Sequence, residues 1–77
     1  HQESPNESSN LKKYWSLTNR EAEVLFWIAK GKTNREIGQI LGTSPRTINK
    51  HSEKIYKKLD VENRTTAAAK ALKYMQH

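Results

Sequence analysis

Between Ser44 and Leu59 the chain brings together Arg46, Asn49, Lys50, Glu53, Lys54, Lys57 and Lys58: five cations, one amide and one carboxylate. At about 100° per residue, Arg46, Asn49, Lys50, Glu53 and Lys57 share one side of a helix, with Lys54 and Lys58 on its flank. Ile48, Ser52, Ile55 and Leu59 fall on the opposite side, as a stripe suited to burial. Such a set recognises rather than makes or breaks bonds. Ammonium and guanidinium groups neutralise phosphates, while Asn can read adenine, Lys guanine, and Glu the amino group of cytosine.

Bond-making chemistry finds little to work with. The chain has no cysteine, which removes disulfides, thiolate zinc sites, iron–sulfur clusters and a thiol nucleophile together. Its three histidines, His1, His51 and His77, are too scattered for a metal motif, and nothing in the spacing suggests a nucleophile with an orienting partner and a pocket. The expectation is a non-enzyme without metal or cofactor.

Length and charge agree with a binding module. At 77 residues only one small domain is possible, and with 34% apolar residues its core must be small. Lys and Arg number 14 against 8 Asp and Glu, a net charge of +6. Up to Ser16 the charges cancel, Glu3 and Glu7 against Lys12 and Lys13, so the whole excess lies from Leu17 onward. A compact cationic domain points to a polyanionic partner, nucleic acid before membrane. No apolar run approaches the roughly 18 residues of a membrane span, and the chain opens without a basic segment followed by an apolar one. A soluble, unexported, cytoplasmic protein is expected.

The elements that must position these side chains are marked by local signals. Residues 1–10 hold no large apolar side chain and are rich in Ser, Asn, Gln and Glu, so residues 1–16 read as a linker or disordered N-terminal segment tethering the domain to something N-terminal. Leu11, Tyr14 and Trp15 give that segment a means of touching the domain edge. Residues 17–77 form the domain proper. Thr18-Asn19-Arg20-Glu21 and Thr33-Asn34-Arg35-Glu36 are two capping boxes, starting helices that should run from about Asn19 to Lys30 and from Asn34 to Leu41, each stopped by a glycine, Gly31 and Gly42. Ser44-Pro45 starts a third helix reaching about Leu59, and Asn63 caps a fourth reaching about Tyr74. No segment alternates with period two, so the fold class is all-α: a compact four-helix domain containing a helix-turn-helix.

Two capped helices joined through Gly42-Thr43-Ser44, with the charge excess on the second, follow helix-turn-helix grammar. Such a pair lays its second helix in the DNA major groove, its N-terminal residues at base edges and flanking cations on phosphates. The base-facing candidates are Asn49, Lys50 and Glu53. A solvated lysine-rich face is the bland alternative, and a protein-interaction adaptor binding an acidic surface of another regulator or of RNA polymerase is the rival function. Membrane attachment is disfavoured because the apolar face of the third helix is narrow and needed by the core.

The segments Leu17-Thr18-x-Arg20-Glu21-x-Glu23-Val24-Leu25, Gly31-Lys32-Thr33-Asn34-x-Glu36-Ile37, Leu41-Gly42-Thr43-Ser44-Pro45-Arg46-Thr47-Ile48-x-x-His51 and Lys58-Leu59-x-Val61-x-x-Arg64 resemble the LuxR-type (GerE-like) DNA-binding domain, in register over about residues 17 to 74. The resemblance implies a four-helix output domain of a bacterial transcription regulator, C-terminal to a sensing or phosphoacceptor domain. It also implies a homodimer on double-stranded DNA, with a monomer as the other state open to the isolated domain. The recognition helix would be residues 45–59, and the N-terminus of the scaffold helix would lie near the DNA backbone. Thr33, Asn34 and Arg35 are thus candidate phosphate contacts, joined by Ser44, Arg46 and Thr47 and, on charge, by Lys54, Lys57 and Lys58. Two positions depart from the pattern: Asp60 stands where the family commonly has glycine, and Gly38 where it commonly has alanine, at an expected helical cost of ~1 kcal/mol. Glu53 departs in function, being unfavourable near phosphates unless it reads a cytosine or pairs with Lys50 or Lys57.

Other polar residues fall on apolar faces. Glu21 edges the stripe Ala22, Leu25, Ile28 and Ala29, and Arg64 lies within the stripe Ala67, Ala68, Ala71, Leu72 and Met75, so a Glu21–Arg64 ion pair is expected to tie the first helix to the fourth. His51 is placed for a structural hydrogen bond or a phosphate contact. Phe26 and Trp27 read as packing residues, away from the basic face. On the outer side of the fourth helix, Ala69, Lys70, Lys73 and Tyr74 are the candidate dimer contacts that the resemblance implies.

Overall fold

The structure, a computed structural model, describes residues 11–75. The expected tether at residues 1–10 lies outside them, as do His1 and His77. The described chain is helical without strands: a short segment at residues 11–15 (α1), then α2 (Asn19–Ala29), α3 (Asn34–Leu41), α4 (Pro45–Leu59) and α5 (Arg64–Met75).

Each helix begins where its cap dictates. In α2 the Glu21 N–H donates to Thr18 Oγ1 at 3.1 Å and the Thr18 N–H to Glu21 Oε1 at 3.0 Å, so two otherwise orphaned donors are satisfied reciprocally. Thr33 and Glu36 repeat this at α3, at 3.1 and 2.8 Å. Ser44 Oγ accepts from the Thr47 N–H at 3.2 Å with Pro45 in the first turn of α4, and Asn63 Oδ1 accepts from the Thr66 N–H at 2.9 Å at α5. Gly42 (φ 73°) turns the chain out of α3 through the left-handed region, and Asp60 (φ 59°) does so after α4.

The helices close around one core. Helix α2 packs against α4 and α5, and α3 packs mainly against α4. Leu25, Ile28, Ile37, Ile48, Ile55 and Leu59 are buried, and Ser52 is tolerated among them because its hydroxyl donates to the Ile48 carbonyl at 3.0 Å. Val24 and Phe26 join the core beyond the expected stripe of α2. Of the stripe expected on α5, Ala67, Ala71 and Met75 are buried, whereas Leu72 at its edge is 37% exposed.

Within residues 11–16, read from sequence as the end of the linker, side chains touch the helical domain as the placement of Leu11, Tyr14 and Trp15 led one to expect. Leu11 is fully buried, and Trp15 packs edge-on against Tyr74 with ring centroids 4.8 Å apart. Tyr14 and Trp15 both meet Tyr74 of α5, a neighbour the local sequence does not reveal.

Gly38 also has a reason that helix propensity misses. A Cβ there would lie 2.5 Å from the Thr43 carbonyl oxygen, whose own N–H donates to Gly38 O at 2.8 Å. The glycine lets the turn between α3 and α4 close against α3.

Candidate nucleic-acid interface

Burial of Ile48, Ser52, Ile55 and Leu59 forces the opposite face of α4 outward. Asn49, Lys50, Glu53, Lys54 and Lys57 are all exposed there, with Arg46 and Ser44 at the N-terminal end of the helix and Arg35 exposed on α3. Between α3 and the start of α4 an open groove is lined by Arg35, Gly38, Gln39, Gly42, Thr43, Ser44 and Pro45. Gln39 was not among the sequence candidates. Its signal was its position, one helical turn after Arg35 on the same face.

Within this face Glu53 forms no ion pair among the described residues, neither with Lys50 nor with Lys57; its Oε2 accepts from Asn49 Nδ2 at 3.5 Å. That bond favours the Asn49 rotamer with Oδ1 free. Ser44 and Thr47 face each other, hydroxyl to hydroxyl at 3.1 Å, so both serve the cap, and Thr47 is half-buried.

The ion pair expected between Glu21 and Arg64 does not form. Glu21 Oε1 instead receives the Lys58 ammonium at 2.7 Å, and Lys58 also donates to the Ser16 carbonyl at 3.4 Å. The capping box holds Glu21 at the start of α2, beside the end of α4, so a flank lysine of α4 reaches it first. Lys58, expected on phosphate, is thereby committed to the edge of the core. Burial pushes the Glu21 carboxyl upward, but the Lys58 hydrogen bond, the Thr18 N–H and the charges of Lys58 and His51 together hold it below the ordinary value. At Glu36 the Thr33 N–H likewise holds the carboxyl low.

Arg64, half-buried, faces the other way. Its guanidinium donates through Nη1 to Asn34 Oδ1 at 2.7 Å and through Nη2 to the Lys32 carbonyl, joining α5 to the loop and first turn of α3. Arg64 sits at the start of α5, on the side where α3 begins, rather than beside Glu21.

Two of the four dimer candidates are engaged internally. The Lys70 ammonium donates to the Leu59 carbonyl at 2.8 Å, a favourable position at a helix C-terminus. Tyr74 lies 4.2 Å from Tyr14 between ring centroids. Ala69 and Lys73 remain exposed, next to Leu72. His51 is half-buried, and Phe26 is buried edge-on to Trp27 at 4.9 Å. Among the described residues no group of three or more His, Asp or Glu side chains could hold a metal ion, and no helix is long and apolar enough to cross a membrane.

A two-helix unit with a glycine turn, a buried stripe and a cationic outer face defines a helix-turn-helix domain. The chain belongs to the luxR family of bacterial regulatory proteins, whose model matches residues 15–71. It is 50% identical over 56 residues to the transcriptional activator protein AnoR of Acinetobacter nosocomialis, covering 73% of this chain and 24% of that protein. It is 52% identical over 56 residues to the transcriptional regulatory protein LiaR of Bacillus subtilis, covering 73% of this chain and 26% of that protein. The uncharacterized transcriptional regulatory protein YhcZ of the same organism is 47% identical over 62 residues, or 80% and 29% of the two chains. The chain therefore spans about a quarter of the length of these relatives. No solved structure matches it significantly.

Proposed function

We propose that this chain binds double-stranded DNA in a sequence-dependent manner, as the output domain of a larger bacterial transcription regulator acting in the cytoplasm. Helix α4 enters the major groove, where Asn49, Lys50 and Glu53 read base edges. Thr33, Asn34, Arg35, Ser44, Arg46, Thr47, Lys54 and Lys57 hold the backbone. Two copies bind a two-fold related site, meeting through the exposed side of α5 at Ala69 and Lys73, and the bound regulator is within reach of RNA polymerase. The names of the relatives, a transcriptional activator and transcriptional regulatory proteins, support regulation of transcription.

One observation carries the reading: the exposed residues in the first turns of α4 are those able to discriminate bases, while the far side of the helix is fully used by the core. Selection from random duplex DNA tests it. An enriched motif, bound more tightly than a scrambled control and losing affinity steeply with salt, is the expected result. Equal binding of motif and control at every salt concentration overturns sequence reading and leaves the adaptor as the function to test.

A further inference from the structure

Arg64 lies on α5, outside the two helices that form the recognition unit, yet both of its hydrogen bonds land at the entrance to α3. Among the described residues, these are the only side-chain hydrogen bonds that join α5 to that entrance. One donor pins the Lys32 carbonyl of the preceding loop, and the other meets Asn34 in the first turn.

The chemistry of the two groups then fixes an orientation. A guanidinium has donors and no acceptor, so only the carbonyl oxygen of the Asn34 amide can face it. The amide nitrogen, with two donors, is left on the side away from Arg64, and no hydrogen bond among the described residues engages it. Without Arg64 the amide could turn over and present an acceptor, which a phosphate repels. A fork to two fixed acceptors also resists rotation better than a single ammonium would.

We infer that Arg64 is a positioning residue for binding of the DNA backbone: it orients the Asn34 amide and anchors the loop before α3, so that Asn34 Nδ2 donates to a phosphate. The inference rests on the DNA-binding reading above. It assigns to Arg64 a part in affinity without contact between its own charge and the DNA.

A double-mutant cycle on a random-sequence DNA duplex tests this, with Arg64→Ala, Asn34→Ala and the double variant titrated across salt at a temperature where circular dichroism shows all of them folded. Each single change is expected to weaken binding about two- to tenfold, and the double variant no more than either alone. The slope of affinity against salt stays that of the parent, whereas Lys57→Ala lowers it by about 1. Asn34→Asp keeps the partner of Arg64 and the fold but replaces the donor by a carboxylate, so it is expected to retain the melting temperature and bind the duplex worse than Asn34→Ala. That variant tests the Asn34 contact alone; if Arg64→Ala does not fold, Arg64→Lys, which keeps the charge but not the two-pronged donor, takes its place in the cycle.

Additive costs, a reduced salt slope for Arg64→Ala, or parental binding by Asn34→Asp would overturn the inference while leaving DNA binding intact. Failure of the parent chain to bind any duplex at low salt would overturn the DNA-binding reading itself, and the inference with it.

Discussion

The Lys58 ammonium lies 2.7 Å from Glu21 Oε1, fastening the last turn of α4 to the first turn of α2. The same carboxylate oxygen accepts the Thr18 N–H, so a cap and an interhelix ion pair share one buried group. Removing the lysine leaves that carboxylate without its cation in a place that water scarcely reaches.

Lys58→Ala is therefore expected to destabilise the domain by about 1–3 kcal/mol, the lower part of the range reflecting the partial exposure of the lysine. Urea unfolding of this variant beside Lys57→Ala checks it. An equal, small effect from both would show that the pair contributes nothing.

The pairing has a pH signature. The Glu21 carboxyl is held below its ordinary value of 4.5 in the fold, so the unfolded chain takes up its proton first as pH falls. The stabilisation is fully present above 4.5 and is lost as pH drops through the lower value of the folded state. Melting temperatures followed from neutral to acidic pH should fall less steeply for Glu21→Gln than for the parent, and parallel curves would count against the argument.

Gly38→Ala opposes two effects. Alanine is the better helix former by ~1 kcal/mol, but its Cβ would sit 2.5 Å from the Thr43 carbonyl oxygen, a backbone atom that cannot rotate away. The close approach wins, and a net loss of about 1–3 kcal/mol is expected. A raised melting temperature would mean that the turn relaxes at little cost.

At Asp60 the balance has the opposite sign. The residue sits at φ 59° directly after α4, where glycine avoids the Cβ penalty. Asp60→Gly should stabilise by up to about 1 kcal/mol, read as a shift of the denaturant midpoint at constant slope.

The lysines of α4 should separate by function. Lys50→Ala and Asn49→Ala are expected to alter base preference, each costing about 1–3 kcal/mol of discrimination. Lys57→Ala should weaken every sequence alike and reduce the salt slope by about 1, while Lys58→Ala, its charge already occupied by Glu21, leaves that slope unchanged. Binding isotherms over a salt series distinguish them, and a reduced slope for Lys58→Ala would show that the ion pair opens on DNA.

Much of this architecture is written in the chain itself. Thr18 with Glu21, Thr33 with Glu36, Ser44 with Pro45, and the turn at Gly42 act over three or four residues, so the helix starts and the helix-turn-helix were readable without any neighbour. Periodicity likewise placed Ile48, Ser52, Ile55 and Leu59 inside and Asn49, Lys50 and Glu53 outside. The tertiary structure decided which cation meets Glu21, where Arg64 reaches, why position 38 lacks a side chain, and that residues 11–15 pack on the core beside Tyr74. Those outcomes depend on the distances between helix ends and on the reach of long side chains across them. A one-dimensional pattern shows that a buried carboxylate needs a cation; only the crossing of α2 and α4 selects Lys58.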